Sequence, residues 1–229
     1  MPDKILVNGC SFSQEKYLPI EDRWSTHIGC NTNLAHGGGS NDRIFNSTIE
    51  YLNTNSTDCL IIGWTEPSRT MLTTREGTNV VVNAGAGFDE ATEQSREDMQ
   101  KFYYLKMYNP YTSLIRTLNY MLHLQEYCKL RQIKLLYWNA MLPKLEQEDI
   151  KEICSHAHMD IKDRGHRESG IQSHTDRVTD LLSRLDREIW IKEFWYGIGK
   201  HCGHLPKLED GHPGPEASKL WAELIKEHL

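Results

Sequence analysis

The sequence predicts an α/β protein, a three-layer α/β/α sandwich around a central parallel sheet. Short apolar runs that suit buried strands recur along the chain, at residues 5–7, 58–64 and 133–138. Stretches with the apolar spacing of amphipathic helices separate these runs. Strands that alternate with helices favour parallel pairing, with helices covering both faces of the sheet.

Each element follows from its local pattern. Asn8-Gly9 ends the first apolar run, and Pro215 suits the first turn of the last helix. In chain order we predict a strand at 5–7, a helix at 21–28, a weak strand at 33–35, a helix at 41–52, a strand at 58–64, extended chain at 80–82, a helix at 112–131, a strand at 133–138, a helix at 173–189 and a last helix after 215.

The chain is expected to form a single domain over residues 1–229, because no linker rich in Pro, Gly and Ser divides it. Residues 143–205 do not fit the alternation of strands and helices. They are charged and rich in histidine, and we interpret them as an insertion beside the core.

Composition narrows the function classes. The net charge of −6 argues against nucleic acid as the main partner, because phosphate binding needs a basic face. No apolar run approaches the roughly 20 residues that span a bilayer, and the N-terminus does not look like a signal peptide. The six cysteines show no paired spacing, so we expect free thiols and a cytoplasmic location.

Residues typical of acyl transfer occur where a parallel sheet would bring them together. Ser11 follows the first strand, a glycine loop at 37–39 follows the second, and His212 precedes the last helix with two acids before it. A serine nucleophile needs a base, the base needs an acid to orient it, and the oxyanion needs fixed N–H donors. Ser11 could instead be only a turn or helix-cap residue.

Four motifs carry a family resemblance across most of the chain. In order they are GCSFS at 9–13, NLA at 33–35 with Gly38, IIGWTEPSR at 61–69 and DGHPGPEAS at 210–218. Together they resemble the blocks of the SGNH, or GDSL-type, hydrolases, whose sheet is flavodoxin-like. The combination is most similar to SGNH-like proteins carried by bacterial viruses, which would place the chain in a host cytoplasm or a virus particle.

The resemblance implies a role for each motif residue. Ser11 would be the nucleophile and His212 the general base. The main-chain N–H groups of Ser11 and Gly38 would bind the oxyanion, with Gly39 as the alternative to Gly38. The acid is left open between Glu209, three residues before the histidine, and Asp210, two before it; we favour Asp210.

The sequence departs from the family pattern at two positions. Thr65 stands where the third block usually has an oxyanion-binding Asn, and Cys10 replaces an Asp. Loss of one oxyanion donor typically costs about 10²–10³ in rate. Thr65 could serve as a weaker donor, Asn41 could replace it, or catalysis could be lost. Trp64 is a candidate for lining the pocket, and Cys10 is an alternative nucleophile.

A rival chemistry involves the histidine-rich segment. Thiol and imidazole groups there could form a tetrahedral zinc site, although their spacing matches no known finger pattern. The candidate ligands are Cys154, His156, His158, His201, Cys202 and His204.

The sequence therefore predicts a serine esterase that cleaves an acetyl-carbohydrate, short-chain or lipid ester through an acyl-serine intermediate, without a cofactor. The partner would be that ester-bearing small molecule, glycan or lipid. The alternative is a weak or inactive SGNH-like module that binds a glycan or a protein. A third hypothesis is a zinc-stapled interaction protein.

Overall fold

The computed structural model describes residues 2–73, 79–82, 98, 100–142, 145–157, 164–192 and 196–229. The strands in these ranges are β1 (Ile5–Asn8), β2 (Thr32–Asn33), β3 (Cys59–Trp64), β4 (Thr70–Thr73), β5 (Asn79–Val82) and β6 (Lys134–Asn139). The α-helices are α1 (Ser11–Gln14), α2 (Trp24–His27), α3 (Asn41–Thr54), α4 (Pro110–Arg131), α5 (Gln147–His156), α6 (Arg164–Ser183), α7 (Ile198–His201) and α8 (Pro215–Glu227). Single helical turns lie at Ile20–Asp22, Tyr103–Met107 and Arg187–Ile189.

The central sheet has the strand order β2-β1-β3-β6, and all its pairs are parallel. Strands β1 and β3 are buried along their whole length, as strands covered on both faces should be. Strand β2, which follows β1 in the chain, pairs with one edge of β1, and β3 pairs with the opposite edge. The carboxyl end of β1 therefore lies where the strand order reverses, the usual place for a ligand in such sheets.

Two apolar cores flank the sheet, because alternate strand residues point to opposite faces. Leu60 and Ile62 face the core formed with helices α3, α4, α5 and α6. Cys59 and Ile61 face the core formed with α2, α7 and α8. The predicted fold class, an α/β sandwich with helices on both faces of a parallel sheet, is confirmed.

Local hydrogen bonds explain the ends of the major helices. The Ser40 hydroxyl accepts from the N–H of Arg43 and begins α3, and the Asn109 amide accepts from Thr112 N–H and begins α4. Gln132 ends α4 with a left-handed backbone, φ 56°. Pro215 occupies the first turn of α8, as predicted.

Some element boundaries differ from the sequence prediction. The helix expected at 21–28 is split, because Arg23 is extended between the turn at 20–22 and α2. The helix expected at 173–189 lies earlier, as α6 at Arg164–Ser183, with a separate turn at Arg187–Ile189. The predicted extended chain at 80–82 lies in β5, which pairs antiparallel with β4 outside the main sheet.

The described part of 143–205 contributes to both cores. Helices α5 and α6 pack with α4 on one face, while Ile198 and Cys202 lie in the core on the other. Trp190 forms a parallel bridge to Tyr137 at the edge of the sheet. The predictions of a single domain at 1–229 and of an insertion at about 143–205 remain predictions.

Candidate active site

Ser11 begins a short helix directly after the strand that presents it. Strand β1 ends at Asn8, Gly9 and Cys10 form the turn, and Ser11 opens α1. A Cβ atom at Gly9 would overlap the Oγ of Ser13, so the turn needs a glycine there. The Asn8 amide anchors this end of the strand by donating to the Ile44 carbonyl oxygen at 3.1 Å on helix α3.

His212 lies in the tight loop that precedes α8. Leu208 N–H donates to the His212 carbonyl oxygen at 2.8 Å, and Gly211 turns the chain with φ +83°. The imidazole packs against two aromatic rings, with centroids 5.1 Å from Phe12 and 5.0 Å from Tyr17. The residue after the serine therefore packs directly on the histidine ring.

Of the two candidate acids, Asp210 is the one in contact with His212. The main-chain N–H of His212 donates to Asp210 Oδ1 at 3.0 Å, and its Nδ1 lies 3.1 Å from Asp210 Oδ2. The approach of Nδ1 lacks the angle of a hydrogen bond, so it is a close electrostatic contact. Partial burial raises the pKa of Asp210, but the main-chain hydrogen bond from His212 and the contact with its ring outweigh burial and lower that pKa. Within the described ranges, Glu209 makes no contact of this kind with His212.

Ser11 and His212 line the same small cavity, which holds about 260 Å³ of empty space including its mouth. The other lining residues are Phe12, Glu15, Tyr17, Leu18, Ile198, Leu208 and Pro213. The Nε2 atom of His212 is buried and has no hydrogen-bond partner among the described residues. The imidazole thus has Asp210 beside Nδ1, while Nε2 is unpaired within the described chain, and Ser11 lies in the same cavity.

The glycine loop packs against the serine turn. His36 N–H donates to the Gly9 carbonyl oxygen at 3.1 Å, and Gly37 N–H donates to the Gln14 side chain at 2.7 Å. A Cβ at Gly39 would lie 3.2 Å from that same Gly9 oxygen, and Gly38 has a left-handed φ of +71°. Gly39 N–H is already bonded to His36. In the described chain, the N–H of Gly38 donates to no other group, which leaves Gly38 as the better oxyanion candidate.

Three other predicted binding residues have their contacts elsewhere. Both N–H groups of the Asn41 amide donate, one to the Thr65 carbonyl oxygen at 2.9 Å and one to Thr117 Oγ1 at 3.1 Å. The Thr65 hydroxyl is buried close to the Cys10 thiol, without a hydrogen-bond partner in the described residues. Trp64 is fully buried in the core, edge-on to Tyr137 at 5.4 Å. None of the three is among the residues that line the cavity.

Cys10 does not have the environment of a reactive thiolate. The residue is fully buried, and burial raises the pKa of its thiol, despite the nearby positive charge of Arg69. A raised pKa keeps the group as a neutral thiol, which is a weak nucleophile. Ser11 on the adjoining position is half-buried and faces the cavity.

Sequence reasoning missed one carboxylate of the cavity, Glu15. It is only 7 % exposed and accepts hydrogen bonds from Trp24 N–H, Ser25 and Ser218. Burial raises the pKa of Glu15 to about 7, although these donors act to lower it. In the sequence it stands in the polar run QEK, which looks like an exposed turn. The one signal was its spacing of four residues from Ser11.

The candidate zinc ligands are not gathered at one place. Cys154 is buried in the core on the α4 side of the sheet, and Cys202 in the core on the α8 side. Cys202 Sγ contacts the Ala217 carbonyl oxygen, and His201 Nδ1 lies 2.6 Å from the Tyr196 hydroxyl. Because the sheet separates the two thiols, they cannot ligate one ion. His158 lies outside the described residues, and the described part of the chain has no cluster of three or more metal-binding side chains.

Comparison with solved structures identifies chains of similar fold. One is TesA, with 11 % identity and a TM-score of 0.49 over 99 % of this chain and 98 % of that one. Another is the psychrotrophic esterase EstA from Pseudoalteromonas sp., with 9 % identity and a TM-score of 0.48 over 99 % and 96 %. A third is described as a lipolytic protein of the G-D-S-L family from Desulfitobacterium hafniense, with 10 % identity and a TM-score of 0.47 over 99 % of both chains.

These similarities concern the overall fold alone. At such identities the similarity says nothing about the roles of individual residues. No family model matches the sequence, and no curated protein does. None of the helices in the described ranges has the length and apolar character to cross a bilayer.

Proposed function

We propose that this protein is a serine acylhydrolase that cleaves a small ester through an acyl-serine intermediate. One arrangement carries the proposal: Ser11 and His212 line one cavity, with Asp210 beside Nδ1 of the histidine and its Nε2 buried without a partner in the described chain. A buried, unpaired imidazole nitrogen costs free energy, so its presence in a residue that lines the same cavity as Ser11 favours a chemical role.

Each of these groups has a step in the proposed reaction. Ser11 Oγ attacks the ester carbonyl carbon while its proton passes to His212 Nε2. Asp210 holds the imidazole and stabilises its cationic form. The N–H groups of Ser11 and Gly38 donate to the oxyanion. The intermediate then collapses, and Nε2 gives its proton to the departing alcohol. Water repeats the sequence on the acyl-serine and releases the acid.

The cavity favours a short acyl group. Its volume is small, and most of its lining is apolar, from Phe12, Leu18, Ile198 and Leu208. An acetyl or other short acyl chain would bury its methyl groups there, whereas an alcohol portion such as a sugar would extend outside. Acetyl-carbohydrate and short-chain esters therefore suit the cavity better than long lipid esters.

A fluorophosphonate tests the proposal directly. Reaction joins phosphorus to an activated serine Oγ and expels fluoride, which intact-mass analysis detects as one adduct. We expect one adduct on wild type and none on Ser11→Ala or His212→Ala. Ser13→Ala is the matched control, since this buried serine lies in the same helix but not in the cavity lining. Absence of any adduct on folded wild type would falsify the proposal.

A specific observation favours a second candidate, a binding module with little or no catalysis. The Thr65 hydroxyl faces Cys10 and the Asn41 amide is fully used, so neither provides the third oxyanion donor that the family resemblance implies. Such a module would bind an acylated glycan without turning it over. Binding of an acetylated oligosaccharide by unreactive wild-type protein, measured by calorimetry, would support this candidate.

A further inference from the structure

Glu15 connects the two halves of the candidate active site. It lies four residues after Ser11, and its main-chain N–H donates to the Ser11 carbonyl oxygen at 3.0 Å. Its carboxylate accepts from Ser218 Oγ at 2.6 Å, in the first turns of the helix that follows His212. No other side-chain hydrogen bond in the described residues joins α1 to α8.

The same carboxylate also begins helix α2. Trp24 N–H donates to Oε1 at 2.7 Å, while the N–H and hydroxyl of Ser25 donate to Oε2 at 3.2 and 3.1 Å. The Trp24 indole N–H in turn donates to the Phe12 carbonyl oxygen at 3.0 Å, next to Ser11. Four donors from two helices thus fix a carboxylate that is 7 % exposed and borders the cavity.

We propose that Glu15 is a positioning residue, which holds the Ser11 turn against α8 and so sets the separation of Ser11 from His212. The inference rests on the proposed function for its catalytic consequence, but the structural link exists without it. Ser218 and His212 are six residues apart, joined by the turn at Gly214 and Pro215, and Ser218 N–H donates to the Gly214 carbonyl oxygen at 3.0 Å. A shift of Ser218 therefore moves the histidine loop.

The four donors favour the ionised carboxylate, because a protonated carboxyl loses acceptor capacity. Burial raises the pKa of Glu15 to about 7. The contacts from α2 and α8 come from uncharged groups. The titratable groups that face Glu15 are Tyr17 and His212 across the cavity, and Cys30. Burial, with the charge of Glu15 as a smaller cause, raises the pKa of Cys30 to about 11.

Three variants of the full-length protein test the inference through the rate constant of fluorophosphonate labelling. Glu15→Gln keeps the shape but not the charge, and Ser218→Ala removes only the link to α8. Asp42→Asn is the matched control, because Asp42 is equally buried and hydrogen-bonded but lies outside the cavity lining. We expect labelling at pH 8 to slow about tenfold or more in Glu15→Gln, and less than about threefold in Asp42→Asn.

The pH profile separates positioning from a general loss of stability. In wild type, Glu15 must lose its proton for full reactivity, which steepens the rise of log rate with pH around 7. In Glu15→Gln this ionisation is gone, and the slope in that range should fall. An unchanged slope together with a loss no larger than that of Asp42→Asn would overturn the inference.

A second readout does not depend on catalysis. Amide hydrogen exchange at Leu208 and Gly211, whose N–H groups are bonded within the histidine loop, should speed up in Ser218→Ala but not in Asp42→Asn. If wild type fails to react yet this change occurs, the proposed function is wrong and the positioning role stands. If exchange in the loop is the same in both variants, the positioning role is wrong.

Discussion

At the scale of single residues, the candidate site depends on one histidine and on which acid contacts it. The main chain and ring of His212 both approach Asp210, although Glu209 stands at the spacing usual in the family that the motifs resemble. Gly211 allows this by turning the loop through a left-handed conformation, which brings the nearer acid back to the imidazole.

Replacing Asp210 or Glu209 by its amide should therefore lower the rate of ester hydrolysis to different extents. We expect Asp210→Asn to lower the rate of ester hydrolysis about 10³–10⁴-fold, because the amide cannot stabilise the imidazolium. Glu209→Gln should change it less than about twofold. Steady-state kinetics on a short-chain aryl ester would measure both, and equal losses in the two variants would contradict the assignment.

Glu15 also makes the stability of the fold depend on pH. Its pKa in the folded protein is raised from the ordinary 4.5 to about 7 by burial, so the folded state holds this proton more tightly than the unfolded state. The stabilisation from that proton is fully present below about pH 4.5 and is lost as pH rises through about 7.

Between pH 5 and pH 8, we therefore expect the free energy of unfolding of wild type to fall by up to about 3 kcal/mol more than that of Glu15→Gln. Urea unfolding of both proteins at each pH would measure the difference. A difference that stays constant across this range would show that the carboxylate does not titrate there.

At the scale of elements, buried polar side chains hold the carboxyl ends of the strands. The Asn41 amide, at the start of α3, bonds to both main-chain groups of Thr65 after β3 and to Thr117 on α4. One side chain thus joins two helices and a strand end, which explains why it is not free to serve the cavity.

Removal of that amide should destabilise the fold. Asn41→Ala leaves the buried Thr65 N–H without its acceptor, and we expect a loss of about 1–3 kcal/mol. Asn55→Ala, an exposed change at the other end of α3, should cost less than about 0.5 kcal/mol. Thermal unfolding of both variants provides the comparison, and similar losses would count against the linking role.

The elements were largely predictable, whereas the direction of polar side chains was not. Apolar runs identify β1, β3 and β6 because these strands are buried on both faces. The same burial hides which face Trp64 occupies, so its place in the core could not be predicted. Glu15 was missed for a related reason: its burial depends on donors from Trp24 and Ser218, the latter more than 200 residues away.

At the scale of the whole molecule, the sheet divides the interior into two cores that share no face. Neighbouring residues of β3 belong to different cores, Ile61 to the one with α8 and Ile62 to the one with α4. Both cores should therefore contribute to one cooperative unfolding transition through the strand that they share.

Truncation on either face tests this expectation. Ile61→Ala and Ile62→Ala should each cost about 2–5 kcal/mol, since both side chains are fully buried. Leu130→Ala, at a helical residue that is 84 % exposed, should cost little. Calorimetry should show a single transition shifted downward in both core variants; a second transition in either one would mean that the cores unfold separately.

The aromatic packing behind the site has an optical consequence. The indoles of Trp24 and Trp221 both contact that of Trp138, with centroids 6.1 and 5.3 Å away. Excited states of chromophores this close couple, and the tilted rings should produce a pair of dichroic bands of opposite sign. Because the Trp24 indole also bonds to the carbonyl of Phe12, next to Ser11, this signal would report the integrity of the Ser11 turn without any added label.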